Sequence, residues 1–254
     1  MTRLIVAAGG GGDAVAASVW DTARYGAERP AVILTYSWDR LLIDPAPGPR
    51  SPRDFTGLRP LTPSVQAVPA GAAPVAPAGS TLPRLADVLP QTFALIDPRH
   101  GVLGMTRQLE ELIAHLAPET IDLLDVGGDI LARGDEPTLR SPLADALTLA
   151  ACARLDAPVR LLVAGPGLDG ELPPQQLRDR LGPLVLTLTP ETVLHHLTRF
   201  ETEARTRGIT HTTFRRLTEA LGFNVAQRPH LRDLLLATRP EQYEAPLWRI
   251  TPGT

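Results

Sequence analysis

Short apolar runs bounded by glycine, proline or acidic residues recur along the chain, and between them lie stretches whose apolar residues fall three and four positions apart. The first pattern predicts buried strands and the second amphipathic helices. Strands are expected at residues 3–8, 31–37, 92–96, 121–126, 159–164 and 184–188, and helices at 14–25, 82–89, 104–116, 142–155, 174–181 and 191–207. The stripe Met105, Leu109, Leu112, Ile113, Leu116 is the clearest helical signal. Strand and helix alternate with connections too long for hairpins, so the expected sheet is mainly parallel and covered on both faces. The predicted architecture is α/β: a doubly wound, Rossmann-like sheet of about six strands over residues 1–190, with residues 191–254 as a helical C-terminal extension packed on it. Residues 63–80 are a Pro/Ala-rich loop, a linker or a lid, in which 65–68 can pair with 57–61 in a small hairpin.

The first strand runs into Gly9, Gly10, Gly11 and Gly12, then Asp13. Four glycines let the backbone approach a ligand closely, and Asp13 is placed to cap the following helix. A helix N-terminus of this kind favours an anion such as a phosphate, so Gly9–Asp13 is the expected cofactor-binding turn. The competing structural explanation is a tight capped turn with no ligand. Gly9, Gly11 and Ala14 also satisfy the dinucleotide pattern G-x-G-x-x-A, with Asp39 after the second strand as the ribose acid.

Polar residues and glycines cluster after four strands, and alternate loops of a parallel sheet share one edge. The second of these loops, from Trp38 through Asp39, Arg40 and Asp44, is held stiff by prolines. The third carries Asp125, Gly127, Gly128, Asp129, Arg133, Asp135 and Glu136, and the fourth Asp169 and Glu171. So many carboxylates suggest either a hard cation such as magnesium or paired acid/base groups. Asp129, Asp39 and Asp169 are the candidate acid/base residues, with Asp129 and Asp169 the candidate metal ligands. His100, in a strand-end loop, is the histidine expected to act if one does. Trp38, Arg40, Asp44, Gly127, Gly128, Arg133, Glu136 and Glu171 are the candidate substrate-binding set. For each there is a plain structural alternative: Asp13 a cap, Glu136 solvated, Asp169 a turn former, Asp129 half of an Arg–Asp pair.

Composition narrows the chemistry. The 254 residues contain no lysine, so all 25 basic residues are arginine and an amine-based pyridoxal phosphate mechanism is excluded. A net charge of −3 gives no case for nucleic acid or an anionic membrane. No apolar run reaches membrane-span length, and the N-terminus lacks the basic and apolar regions of a signal peptide, so the expected compartment is the cytoplasm. Cys152, the one cysteine, lies in an apolar helical stretch and is read as core. A homodimer is expected on base rates alone.

The loops together resemble domain-of-unknown-function family 1152, a bacterial and archaeal family. The resemblance rests on Gly9–Asp13, Trp38-Asp39-Arg40 with Asp44 and its prolines, Gly101-Val-Leu-Gly104, Asp125-Val-Gly-Gly-Asp129 with Gly134-Asp-Glu136, Ser141-Pro-Leu-Ala-Asp145, and Asp169-Gly-Glu171, across residues 3–172. The family carries Glu after the tryptophan, where Asp39 is one carbon shorter. The resemblance implies a small-molecule α/β protein whose site is built from these loops, and it names no reaction. The leading expectation is an enzyme that binds an anionic, nucleotide-like ligand at the glycine turn, with carboxylate or magnesium-assisted hydrolysis or group transfer. The alternatives are a nicotinamide- or flavin-dependent oxidoreductase, a cofactor-free cyclase or lyase, and a non-catalytic ligand-binding protein.

Overall fold

Successive residues of the central strands pack on opposite faces of one sheet, and the helices divide between those faces. The computed structural model describes residues 2–182 except 40, 42, 47 and 169, together with the strand segments Leu186–Thr187 and Arg249–Pro252. Five strands run parallel: β1 (Arg3–Gly10), β2 (Val32–Tyr36), β7 (Thr92–Leu95), β8 (Thr120–Val126) and β9 (Arg160–Ala164). Four short strands extend them antiparallel to a nine-stranded sheet: β4 (Arg59–Pro60) and β5 (Gln66–Ala67) beyond β7, and β11 (Arg249–Pro252) and β10 (Leu186–Thr187) beyond β9. β3 (Phe55–Thr56) and β6 (Ala73–Pro74) pair separately.

Helices α1 (Gly12–Tyr25) and α2 (Leu82–Val88) cover one face, where Ala14, Ala17, Trp20, Leu82 and Leu85 bury Ile5, Ala7, Ile33 and Phe93. Helices α3 (Gly101–Leu116), α4 (Leu143–Cys152) and α5 (Pro174–Arg180) cover the other, where Met105, Leu109, Ala151 and Leu177 bury Leu4, Val6, Leu34 and Leu123. Strands buried on both sides account for the near-continuous apolar runs in the sequence. The mainly parallel mixed sheet with interspersed helices agrees with a general Rossmann-like architecture. Its parallel strands lie in the spatial order third, second, first, fourth, fifth, so the chain leaves β1 toward β2 on one side and β8 toward β9 on the other. In open α/β sheets that divergence leaves a crevice at the strands' C-terminal ends.

The opposite, N-terminal edge is closed by internal polar pairing. Asp122 at the start of β8 accepts from Arg160 Nε and Nη2 at 2.7 and 2.9 Å and from Trp20 Nε1 at 2.9 Å. Arg3 pairs with buried Asp21 at 2.8 Å, and Asp21 also accepts from the Ala31 and Gln91 nitrogens. Bidentate and multiply bonded carboxylates of this kind fix strand ends in place.

Four expectations change. Among the described residues the sheet has nine strands rather than about six, because the β4–β5 hairpin joins it beside β7 and the unexpected β11 pairs between β9 and β10, the segment expected as a strand at 184–188. The glycine run is mostly regular structure: Gly9 and Gly10 finish β1, Gly12 begins α1, and Gly11 alone makes the turn, at φ 67°. Gly11 is the residue preceding the helix, and Asp13 lies inside its first turn rather than capping it. Finally, residues 249–252 are strand, within a region expected to be helical; the helix expected at 191–207 lies outside the described residues. The 57–61/65–68 hairpin forms as expected, through β4 and β5.

The Pro/Ala segment acts as a buttress. After β5 and β6 it brings Gly79 so close to the Ile43 carbonyl oxygen that an added Cβ would sit 1.9 Å from it. Ser80 then accepts from the Ser37 hydroxyl at 2.8 Å, and Thr81 donates to Asp39. Ser37, Asp39 and Ile43 are thereby held against the segment that leads into α2.

Candidate functional site

The ladder of β1 opens at its C-terminal end, and side chains from two helices take over its polar groups. Pairing with β8 is registered only as far as Ala7, and the register with β2 shifts between Val6 and Gly10. Past that point the Gly9 N–H donates to the carboxylate of Asp13, at 2.5 Å, and the Ala8 carbonyl accepts from the Thr148 hydroxyl of α4, at 2.9 Å. The backbone of Val126, at the end of β8, also favours the charged form of Asp13. The Asp13 carboxylate is thus bonded to the end of β1 and lies close to the end of β8.

Asp125 from β8 and Asp145 from α4 meet Asp13 there. One oxygen from each of the three lies within 4.8 Å of the others, and all three side chains are buried. Gly9 makes room for them: a Cβ on it would stand 2.5 Å from Asp13 Oδ2 and 3.5 Å from Asp145 Oδ1. Burial holds the Asp13 carboxyl well above the usual carboxylate range, the charge of Asp145 adds to this, and Asp129 raises it further, against the Gly9 and Val126 N–H groups. Two unit charges this far apart repel by about 4 kcal/mol at an effective dielectric constant of about 20. A proton shared among them, or a cation, would offset that repulsion.

Of the acids expected to do chemistry, Asp129 is buried in the short 3-10 turn Asp129–Leu131 that follows Gly128, near enough to act on Asp13. Asp39 is engaged elsewhere, accepting from Thr81 N–H at 3.2 Å and the Thr81 hydroxyl at 2.8 Å. Burial raises its pKa, with nearby Asp44 adding and the Thr81 hydrogen bonds opposing. His100 is exposed at the turn before α3, its Cβ against Gly104. Asp169 and Arg40 lie outside the described residues.

Several expected ligand contacts hold the scaffold. Buried Asp44 pairs with Arg50 at 2.8 Å and accepts from Ala46 N–H, closing the proline loop on itself. Glu136 accepts from the Arg133 and Gly134 N–H groups and from Arg180; the Arg133 N–H is foremost in holding its pKa down at about 2. The Arg133 side chain is exposed. Glu171 accepts from Arg140 N–H, Ser141 N–H and the Ser141 hydroxyl, tying that loop to the start of α4. Gly127 exchanges backbone bonds with Ala164 and Gly167. Trp38 is half-buried, meets Tyr36 edge-on at 6.2 Å, and its carbonyl oxygen would be 2.4 Å from a Cβ on Gly10.

Asp145 was carried in the sequence only by the Ser141–Asp145 motif. Its local signal is an acid on the otherwise uncharged face Ala144, Asp145, Thr148, Ala151, Cys152, all of them buried. Spacing i, i+3, i+4 places such an acid toward the core, where an unexplained charge marks a site. Thr148 shares that face and had no sequence signal of its own.

A family model described as a protein of unknown function, DUF1152, matches residues 4–208 of the 254. The chain belongs to this family. The match covers every residue of the carboxylate cluster and, but for Arg3, all five parallel strands. No curated protein matches the chain, and no solved structure does. Among the described residues, no helix is long and apolar enough to cross a membrane.

Proposed function

We propose that this α/β protein is a small-molecule enzyme whose site lies over the β1/β8 divergence, where Asp13, Asp125 and Asp145 hold a divalent cation such as magnesium. The cation would engage the anionic, nucleotide-like ligand and assist its hydrolysis or group transfer, with Asp129 alongside as acid/base or further ligand. The carrying observation is the convergence of three buried carboxylates from separate elements within 4.8 Å. Hard divalent cations take oxygen ligands, and a bound cation offsets the repulsion that burial otherwise imposes. It would also polarise a phosphoryl or carbonyl oxygen and lower the pKa of bound water.

The glycine turn then serves the ligand indirectly. The Gly9 N–H is already occupied by Asp13, and that carboxylate stands at the start of α1 where a pyrophosphate would otherwise sit. Asp39, at the position of a ribose acid, is bound to Thr81. Both observations weigh against a nicotinamide or flavin cofactor in the usual orientation. The raised Asp13 carboxyl favours a second reading, in which a proton held by the cluster serves a cofactor-free lyase or cyclase.

Titration with Mn²⁺, followed by electron paramagnetic resonance and calorimetry, tests the choice. The cation reading expects one tight site that Asp125→Asn and Asp145→Asn each abolish. Weak binding that these variants leave unchanged would sink it and leave the shared proton as the better account. A thermal-shift screen of nucleotides and sugar phosphates with Mn²⁺ or Mg²⁺ then finds the ligand, because a molecule bound only by the folded state raises Tm with its concentration.

A further inference from the structure

A pair of buried hydroxyls lies immediately behind the carboxylates, and the chemistry above does not use it. Tyr36, the last residue of β2, places its hydroxyl 2.9 Å from Thr148 Oγ1 and 3.2 Å from the Ala144 carbonyl oxygen. Thr148 Oγ1 in turn lies 2.9 Å from the Ala8 carbonyl and 2.8 Å from that of Ala144. Both side chains are fully buried. Each hydroxyl has one proton, and the two protons serve the Ala8 and Ala144 carbonyls and the contact between the hydroxyls, in which either can donate.

These contacts fall where the sheet itself lets go. Ala8 lies beyond the registered pairing of β1 with β8 and inside its register shift with β2. Thr148 is therefore what ties α4 to β1 at this level. The next residue, Gly9, holds Asp13 through its N–H, and Asp145 sits one turn before Thr148 on the same helix face. Moving α4 along β1 would move Asp145 relative to Asp13 and to Asp125, which β8 holds in the same sheet as β1.

We infer that the Tyr36–Thr148 hydroxyl pair positions the carboxylate site, fixing the separation of Asp145 from Asp13 by bonding α4 to the opened end of β1. This rests on the cation reading above. Partners behind the direct ligands orient them, and losing such a partner typically weakens metal binding about 10- to 100-fold.

The test is the Mn²⁺ affinity of the full chain, measured well below Tm, for wild type, Thr148→Val, Thr148→Ser, Tyr36→Phe and Asp145→Asn. Thr148→Val is expected to weaken Mn²⁺ by about 10-fold or more and Thr148→Ser by less than about threefold, since serine keeps the hydroxyl. Tyr36→Phe acts in the same direction by less, and answers the question should Thr148→Val not fold. Asp122→Asn, at the far edge, is the control for lost stability: it should lower Tm and leave Mn²⁺ affinity as it was. Wild-type affinity in both Thr148→Val and Tyr36→Phe, failure of serine to rescue, or an equal loss in Asp122→Asn overturns the positioning role. Wild-type affinity in Asp145→Asn instead overturns the cation site, and the positioning role with it.

Discussion

Asp13→Asn gives the most direct check on the electrostatics of the cluster. In the folded protein burial, Asp145 and Asp129 hold the Asp13 carboxyl well above its ordinary value of 3.8. The folded state therefore binds a proton that the unfolded chain has released, and stability falls as pH rises from about 4 toward the raised value. Over that window one proton is worth about 1.4 kcal/mol per pH unit. Because the cluster titrates together, this slope belongs to the group of carboxylates rather than to Asp13 alone. Asparagine carries no such proton, and its side-chain oxygen can still accept from Gly9 N–H. In EDTA, the stability of Asp13→Asn relative to wild type should therefore grow by about 1.4 kcal/mol between about pH 4.5 and about pH 5.5, an advantage of about 3–6 °C in Tm for a chain of this size. Urea denaturation at the two pH values reads this directly, provided the m-values agree. A relative stability that stays constant across that interval would refute the claim that burial and like charge act on this carboxyl.

Three further outcomes follow from the packing. Gly9→Ala would drive a methyl to 2.5 Å from Asp13 Oδ2, so calorimetric Mn²⁺ binding should fall by about 10-fold or more while far-ultraviolet circular dichroism stays native; unchanged binding would place the cation elsewhere. Gly79→Ala meets the Ile43 carbonyl at 1.9 Å and should destabilise the chain by about 1–3 kcal/mol in urea, whereas a neutral result would mean that the Pro/Ala segment does not brace the 37–50 loop. Burial pushes the Cys152 thiol up to about 12, so a disulfide reagent at about pH 8 should react only after denaturation, and stoichiometric labelling of the native protein within minutes would contradict its core placement.

The sequence alone determined the elements and the edge at which they could act. Runs such as Leu4–Ala8 read as strands of a covered parallel sheet and the stripe from Met105 to Leu116 as a helix against it, and the structure has both. Periodicity is local, so it survives in the linear code. The glycines and acids that close the predicted strands also marked the stretches around Asp13, Asp125 and Asp129, which lie in the first turn of α1, at the end of β8 and in the turn after it. What the chain could not disclose was which acids meet. Glu136, Glu171, Asp39 and Asp44 look like Asp13 and Asp145 in composition and neighbours, yet they accept hydrogen bonds that hold loops together. Asp145 is 132 positions from Asp13 by residue number and comes beside it only because α4 packs on β1. The turn residue within the glycine run was likewise hidden, since four equal glycines give no clue that β1 continues through Gly10. Side-chain convergence depends on strand order and on where the ladder opens, and both are set by packing between distant segments. The tertiary structure alone decided that Asp13 and Thr148 would both bond the opened end of β1, the one through Gly9 N–H and the other through the Ala8 carbonyl.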